Sequence, residues 1–290
     1  MRRLLPVLLM VLLSAAALPA AAQRSTPTPT PAAAVEATPE ATAAPVELLT
    51  VEIVAEFPHD PNAYTQGLLL HDGEFYESAG QYGESDLRRV DPDTGEVQQQ
   101  VEVPEQYFAE GLALVDDRLI QITWKEETAL VYDRETFEQV DTFDYTGEGW
   151  GLCYDGRQLV MSDGTEKLTL RAPETFEATD TVTVLLDGEP LSAWSFQGAP
   201  LSQLNELECV GDTVYANVWY TDIILRIDMP SAVVTGVIFA GDLLPQADWM
   251  TLRNEGGVLN GIAYNAEADT FYITGKLWPK LFEVRFVPAD

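Results

Sequence analysis

The sequence predicts an all-β domain built as a five-bladed β-propeller. A two-strand unit occurs five times in the last three-quarters of the 290-residue chain. Turns such as Asp72-Gly73 and Asp155-Gly156 separate two apolar runs within a unit, which is a strong signal for a β-hairpin. Self-similar β units that recur every roughly 40 to 55 residues are typical of propeller blades. Such repetition brings the same position of every unit around one central axis.

The first strands of the five units open alike, with a polar or aromatic residue before a small apolar strand. These openings are Gln66-Gly67-Leu68, Glu110-Gly111-Leu112, Trp150-Gly151-Leu152, Glu206-Leu207-Glu208 and Asn260-Gly261-Ile262. The second strands are expected to end at Gly80, Trp124, Gly164, Trp219 and Lys276. In an antiparallel hairpin the start of the first strand lies beside the end of the second. Both sets of residues should therefore meet at one mouth of the central channel.

The residues expected at this mouth have the composition of an active site. They include carboxylates, an asparagine, a lysine and three tryptophans, which together would line one pocket. The alternative is that the tryptophans only fill the core and the glycines only allow close packing of the blades. The equivalent repeat positions of the whole set favour the functional interpretation.

The ends of the chain predict export and a single folded domain. Residues 1–22 resemble a secretory signal peptide, with Arg2-Arg3, an apolar run and a small-residue cleavage site. Residues 23–46 are rich in Pro, Thr and Ala, which is typical of a linker without a core. Residues 47–290 would form the propeller. No later apolar stretch is long enough for a membrane-spanning helix, so we expect a secreted or periplasmic protein.

Charge and composition argue against several classes of function. The formal net charge of −31 is unsuited to nucleic-acid binding, which needs Lys and Arg at the phosphates. With only His59, His71 and two cysteines, a Cys-rich zinc site is excluded and a Ser-His-Asp triad is disfavoured. A structural Ca²⁺ at an acidic loop such as residues 91–93 stays open, although such runs are usually solvated turns.

The two cysteines occupy nearly equivalent places in neighbouring units. Cys153 lies three residues after Trp150, and Cys209 lies three residues after Glu206. In an exported chain this arrangement favours a disulfide between them, with two buried thiols as the alternative.

Two segments interrupt the repeat, at Asp187–Gln203 and Gly241–Gly257. The second has apolar residues near a helical period, at Leu243, Leu244, Ala247, Met250 and Leu252, which predicts a short helix over the rim. Each segment precedes a residue of the expected mouth. Both are therefore candidates for walls of the pocket, although ordinary connecting loops would look the same.

Short segments in all five units resemble those of one enzyme family. They are Tyr64-Thr65-Gln66-Gly67-Leu68, Phe108-Ala109-Glu110-Gly111-Leu112, Ile122-Thr123-Trp124-Lys125, Gly149-Trp150-Gly151-Leu152, Leu204-Asn205-Glu206-Leu207-Glu208, Ala216-Asn217-Val218-Trp219, Leu259-Asn260-Gly261-Ile262 and Thr274-Gly275-Lys276. On these residues the chain resembles the plant- and bacterial-type glutaminyl-peptide cyclotransferases, or glutaminyl cyclases, which are five-bladed propellers.

The resemblance implies conversion of the amino-terminal glutamine of peptides or proteins to pyroglutamate, with release of ammonia and without catalytic zinc or another cofactor. It implies Glu110 as the acid/base carboxylate, with Asn205 and Lys276 as its polar partners. The expected substrate-binding residues are Gln66, Tyr64, Phe108, Trp124, Trp150, Trp219, Glu206 and Asn260. The expected partners are peptides or proteins with an amino-terminal glutamine, and the chain is expected to act as a monomer without a nucleic-acid partner.

The chemistry of ring closure suits these residue types. The neutral α-amine attacks the γ-carboxamide of its own side chain, so one carboxylate can take the amine proton and pass it to the leaving nitrogen. Lys276 or Asn205 can donate to the oxyanion. Lys276 has an alternative role, which is to pair with Glu110 and keep it ionised.

Two rival functions follow from the same residues. A five-bladed glycoside hydrolase would use Glu110 and Glu206 as its carboxylate pair, but it leaves Lys276 without a role. A non-catalytic peptide-binding propeller would keep the pocket and lose the chemistry. It gives no reason to bury Glu110, Asn205 and Lys276 together.

Overall fold

Antiparallel β-strands make up nearly all of the regular structure in the computed structural model, which describes residues 45–289. The all-β prediction is confirmed. The predicted signal peptide, residues 1–22, and nearly all of the predicted linker, residues 23–46, lie outside the described residues.

Three separate four-stranded sheets follow the first strand, β1 (Glu47–Pro58). The first sheet contains β2 (Thr65–His71), β3 (Glu74–Ala79), β4 (Asp86–Val90) and β5 (Val97–Glu102). The second contains β6 (Ala109–Val115), β7 (Arg118–Thr123), β8 (Thr128–Asp133) and β9 (Gln139–Asp144). The third contains β10 (Leu152–Tyr154), β11 (Leu159–Ser162), β12 (Lys167–Arg171) and β13 (Ala178–Thr183). Consecutive strands pair antiparallel in each sheet.

The first interruption of the repeat contains only short elements. They are β14 (Leu185–Leu186), β15 (Glu189–Pro190), a 3₁₀ helix (Leu191–Ala193), β16 (Ser195–Phe196) and β17 (Ala199–Pro200). The rest of the chain forms β18 (Leu204–Val210), β19 (Thr213–Val218), β20 (Ile223–Asp228), β21 (Val233–Phe239), α1 (Gln246–Asn254), β22 (Leu259–Asn265), β23 (Thr270–Gly275) and β24 (Lys280–Pro288).

The last strands and β1 form a larger sheet that ties the two ends of the domain together. Its main order is β18-β19-β20-β21-β1-β24-β23-β22, and β14 and β15 add at its side. Strand β1 pairs parallel with β21 over a short stretch and antiparallel with β24 along most of its length. The amino-terminal strand of the domain is therefore held between strands from the end of the chain.

The five predicted hairpins are all present, and their first strands form a closed ring. Each first strand, β2, β6, β10, β18 and β22, pairs antiparallel with the strand that follows it. The same five strands also contact one another in cyclic order, from β2 through β6, β10 and β18 to β22 and back to β2. The repeat thus places the five openings around a common axis, as the sequence predicts.

Glycine at the strand openings permits this close approach. A methyl group on Gly111 would overlap the backbone of Gly151 and Leu152, and one on Gly151 would overlap the carbonyl of Asn205. Backbone contacts this tight leave no space for a β-carbon.

Apolar side chains fill the layers between neighbouring sheets. One such layer joins Tyr76 and Leu87 of the first sheet to Leu119 and Leu130 of the second, and all four are fully buried. Burial of each large apolar side chain contributes about 1.5–3 kcal/mol to folding. This packing makes a rigid frame around the axis.

The second interruption of the repeat contains a helix, as predicted, but the helix starts later than the apolar pattern suggests. Leu243 and Leu244 are buried and precede α1, whereas Met250 within it is 54% exposed. Pro245 lies immediately before the helix. Proline is tolerated at a helix start, since the N–H that it lacks would have no partner within the helix there. Within residues 45–289, no helix is long and apolar enough to span a membrane.

The predicted disulfide between Cys153 and Cys209 is present. It joins β10 to β18, which are neighbours in the ring, and the two Cα atoms are 5.5 Å apart.

Replacement of both cysteines by alanine should lower the free energy of unfolding by roughly 2–4 kcal/mol, because a long loop of the unfolded chain loses its constraint. Urea unfolding of the double variant beside the wild type, both without reductant, measures the difference. An unchanged midpoint and slope would contradict a stabilising role for this bond.

Candidate active site

The chemistry-bearing residues of four first strands lie at β-bulges. The strand register shifts between Thr65 and Gly67, and again across Glu110-Gly111, Asn205-Glu206 and Asn260-Gly261. A bulge inserts an extra residue and redirects the side chains beside it. At these four positions the bulges break the regular alternation of side chains between the two strand faces. The polar groups at this end of the ring can therefore face the channel.

These residues open into a cavity of about 320 Å³ at that end of the ring. Its walls combine aromatic rings with a few polar groups, which is typical of small-molecule sites. The lining residues are Tyr64, Gln66, Gln81, Phe108, Glu110, Trp124, Trp150, Gln203, Asn205, Trp219 and Lys276. Nine of the eleven residues predicted as catalytic or substrate-binding lie in this wall.

A chain of hydrogen bonds orients the carboxylate of Glu110. The Gln66 amide nitrogen donates to Glu110 Oε1 at 3.1 Å. The Asn260 amide nitrogen donates to the Thr65 carbonyl at 2.9 Å and to Gln66 Oε1 at 3.4 Å. Glu110 is only 6% exposed, and the Gln66 amide, which Asn260 holds in turn, fixes one of its two carboxylate oxygens.

Burial shifts the proton affinity of Glu110 and Lys276 in opposite directions. Desolvation raises the pKa of Glu110 well above its usual value; the charge of Lys276 opposes this shift, and Glu148 and Glu126 add to it. Desolvation lowers the pKa of Lys276 to about 8, against the attraction of Glu110. Among the described residues, Lys276 forms no direct ion pair with Glu110. Its ammonium lies 4.9 Å from the ring centre of Tyr64.

The aromatic walls are held by edge-to-face contacts and by one carboxylate. The rings of Trp150 and Trp219 are 5.4 Å apart at 82°, and those of Phe108 and Trp124 are 5.6 Å apart at 63°. Glu148 Oε2 accepts hydrogen bonds from the indole nitrogens of Trp124, at 2.9 Å, and of Trp150, at 3.1 Å. One half-exposed glutamate therefore fixes two of the three indoles.

Asn205 presents an unused acceptor to the cavity. Its side chain is buried, and its Oδ1 atom has no hydrogen-bond partner within the described part of the chain. An unpaired buried amide oxygen costs free energy, so its presence in a cavity wall indicates a group that pairs with a ligand.

Comparison with known proteins identifies the family. The sequence model described as glutamine cyclotransferase matches residues 28–286 of this chain. The chain belongs to the glutamine cyclotransferase family.

Two individual relatives support this membership. The glutaminyl-peptide cyclotransferase of Arabidopsis thaliana is 38% identical over 243 residues, which are 83% of this chain and 72% of the relative. Among solved structures, the glutaminyl cyclase of Myxococcus xanthus matches with a TM-score of 0.73 and 36% identity, covering 84% of this chain and 100% of that chain. The resemblance seen in the short sequence segments is confirmed.

Two residues that were predicted to bind substrate, Glu206 and Asn260, do not line the cavity of this glutamine cyclotransferase. Glu206 accepts hydrogen bonds from the backbone N–H groups of Ile262, at 2.9 Å, and Leu68, at 3.4 Å. It therefore bridges three first strands of the ring. Asn260 lies behind Gln66 and acts on the cavity through it. The bulges explain the difference, since at Asn205-Glu206 it is Asn205 that reaches the cavity.

The sequence did not single out several residues that lie at the cavity, namely Gln81, Gln203, Glu126 and Glu148. Gln81 follows the end of β3, and Gln203 is the last residue of the first interruption, so their positions in the chain are the only available signals. Glu126 and Glu148 lie at the rim outside the repeated openings. Their side chains are recognisable only through their contacts with Tyr82, Trp124 and Trp150.

The histidines of the chain lie outside this cavity. His59 is buried elsewhere between Glu77 and the Trp278 carbonyl. Among residues 45–289, no group of three or more His, Cys, Asp or Glu side chains is placed to hold a metal ion.

Proposed function

We propose that this chain is a glutaminyl-peptide cyclotransferase that converts an amino-terminal glutamine to pyroglutamate and releases ammonia. The observation that carries the proposal is the buried carboxylate of Glu110, held by Gln66 inside an aromatic cavity that also contains Lys276. The Arabidopsis and Myxococcus relatives bear names of the same activity.

In this mechanism Glu110 moves one proton. The α-amine nitrogen of the substrate attacks the carbon of its own γ-carboxamide, and Glu110 accepts the proton that this nitrogen loses. Glu110 then gives the proton to the amide nitrogen as the carbon–nitrogen bond breaks, so ammonia leaves and the carboxylate is regenerated. The raised pKa of Glu110 brings its proton affinity closer to that of the groups it serves.

Lys276 is proposed to stabilise the oxyanion of the tetrahedral intermediate. Its ammonium is buried in the cavity wall and is not neutralised by a direct contact with Glu110 within the described residues. This arrangement favours the oxyanion role over the role of a partner for Glu110. The Asn205 amide, near the start of β18, is proposed to bind the substrate, since its oxygen accepts no hydrogen bond from the described residues and can accept one from a substrate N–H.

The aromatic rings are proposed to hold the substrate in its cyclic shape. Trp124, Trp150 and Trp219, with Tyr64 and Phe108, would enclose the short aliphatic stem of the glutamine. Because nucleophile and electrophile belong to the same residue, restricting rotation of that stem supplies much of the rate increase. Glu206 and Asn260 would support this site from behind without touching the substrate.

We also propose that the domain is a five-bladed propeller and that the chain is exported. The ring of five first strands supports this blade count, with the large sheet taken as two blades joined where β1 meets β21. The disulfide is consistent with an oxidising compartment. In this interpretation residues 1–22 are a signal peptide, residues 23–46 a linker and residues 47–290 the catalytic domain, which acts as a monomer.

Incubation of the purified protein with a glutaminyl tripeptide amide tests the proposed activity. We expect one ammonia for each pyroglutamyl peptide, detected by an ammonia-coupled assay and by a mass loss of one NH₃. An asparaginyl peptide is the matched control, because its shorter side chain would have to close a strained four-membered ring. Binding of the glutaminyl peptide without ammonia release would favour a peptide-binding protein instead.

Metal removal is expected to leave the activity unchanged. In the proposed mechanism a carboxylate and an ammonium perform the proton transfer and the charge stabilisation, so no step requires a metal-bound water. Turnover should be the same after dialysis against EDTA or addition of 1,10-phenanthroline. Loss of turnover that added Zn²⁺ restores would overturn this expectation.

A further inference from the structure

The rim of the cavity carries an aromatic face and two carboxylates on one side. Glu126 accepts hydrogen bonds from the Tyr82 hydroxyl, at 2.8 Å, and from the Phe108 backbone, at 3.3 Å. Glu148 is bound through Oε2 to the indoles of Trp124 and Trp150. Both carboxylates are therefore fixed in place beside the opening, and Glu148 Oε1 is not used in these bonds.

A cation already occupies this place. The ammonium of Lys125 lies 3.6 Å from the ring centre of Trp124 and 3.7 Å from Glu148 Oε1. The Lys125 side chain is 49% exposed, and 3.7 Å is too long for a good hydrogen bond. The contact is thus an exposed and weak one, so another cation can replace this ammonium at little cost.

The charges around the opening are unequal. Among the residues that the structure describes here, the carboxylates of Glu126 and Glu148 lie beside one ammonium, that of Lys125. On the side of Trp219, the guanidinium of Arg253 is bound to the Tyr220 carbonyl and stacks over Trp249, 4.9 Å from its ring centre. Asp222 accepts a hydrogen bond from the Trp249 indole at 3.3 Å, so on that side one carboxylate accompanies one guanidinium. A substrate side chain that leaves the cavity past Trp124 therefore meets a negative potential.

We propose that Trp124, Glu126 and Glu148 form a subsite for a lysine or arginine that follows the amino-terminal glutamine, and that Lys125 fills this subsite in the free enzyme. The proposal rests on the cyclotransferase function. The cavity holds the glutaminyl residue beside Glu110, so the next residue must lie at the opening. There its cation takes the position of the Lys125 ammonium, between the indole face and the free oxygen of Glu148.

Two variants with opposite effects test the subsite. The probes are the amides of Gln-Lys-Ala, Gln-Ala-Ala and Gln-Glu-Ala, and the measurement is the ratio of kcat/KM values for the lysine and alanine peptides. In the wild type we expect this ratio to exceed one and the glutamate peptide to be the poorest substrate. Glu148→Gln keeps an oxygen for the indoles but removes the charge, so the ratio should fall to about one. Lys125→Met removes the competing ammonium, so the ratio should rise roughly three- to fivefold.

Controls separate this effect from general changes in charge or structure. Glu138→Gln makes the same substitution in an exposed glutamate beyond the far end of β8, and it should leave the ratio unchanged. The preference should appear in KM and weaken at about 1 M NaCl, where the screening length is ~3 Å. Equal ratios in the wild type, Glu148→Gln and Lys125→Met, or a wild-type preference for the glutamate peptide, would overturn the subsite.

Binding measurements keep the result independent of turnover. Tryptophan fluorescence can report the dissociation constants of the same peptides with a Glu110→Gln background, in which no ammonia need be released. If the wild type cyclises none of the peptides, the proposed function fails. The same order of dissociation constants, with the same opposite shifts in the two rim variants, would still support the subsite, and an order that ignores charge would reject it.

Discussion

Glu110→Gln is expected to lower kcat by about 10²- to 10⁴-fold, which is the usual contribution of a positioned general acid/base. Glutamine has nearly the same shape and can keep the hydrogen bond to Gln66, but it cannot take the proton of the substrate amine. Steady-state ammonia release measures the loss. The KM and the unfolding midpoint should change little, because the side chain remains buried and polar.

The acidic side of the pH profile provides a second test of Glu110. Desolvation raises its pKa above the usual value, and the ionised form is the one that accepts a proton. As the pH falls through this raised pKa, kcat should fall. The decline should therefore occur at a higher pH than it would for an exposed glutamate in the same role. Glu138→Gln, far from the cavity, should retain both kcat and the profile. Turnover by Glu110→Gln within a few-fold of the wild type would remove Glu110 from this role.

Lys276→Met is expected to lower kcat by about 10²- to 10³-fold, as for loss of one oxyanion donor. The substitution keeps the aliphatic stem and removes the ammonium. A group that acts mainly in the transition state affects kcat, whereas a group that only binds substrate affects KM. Stopped or continuous ammonia assays at saturating peptide separate these cases. Lys167→Met, at the exposed first residue of β12, is the control.

The alkaline side of the pH profile identifies Lys276 more directly. Burial lowers its pKa to about 8, and the proposed donor is the protonated form. In the wild type, kcat should therefore decline as the pH rises through about 8. This decline should be absent from the residual activity of Lys276→Met. A decline that persists unchanged in this variant would assign it to another group.

The short segments around the openings were sufficient to predict the family, because most of them are also the parts that carry side chains into the cavity. Tyr64, Phe108, Trp124 and Trp219 stand at strand ends, where the chain position and the repeat agree. The pairing of Cys153 with Cys209 followed from equivalent places in adjacent units. These features are local or periodic, so one sequence contains them.

The positions of single side chains at the bulges depended on tertiary structure. Asn205 and Glu206 are adjacent, and a shift of one residue exchanges which of them faces the cavity. The observed register shift puts Asn205 in the wall and gives Glu206 to the backbone of Leu68 and Ile262. Hydrophobic pattern cannot settle such a register, because both residues are polar and both become buried.

The repeat and the local motifs were enough to predict the all-β class, the five hairpins and most of the cavity wall, and they favoured the disulfide. Only the folded chain shows that, among the described residues, Lys276 forms no direct ion pair with Glu110 and that Glu148 holds two indoles. It also brought Gln81 and Gln203 to the wall from segments outside the repeat. Periodic burial specifies strands, whereas contacts between loops of different sheets depend on bulges and on the closure of the ring.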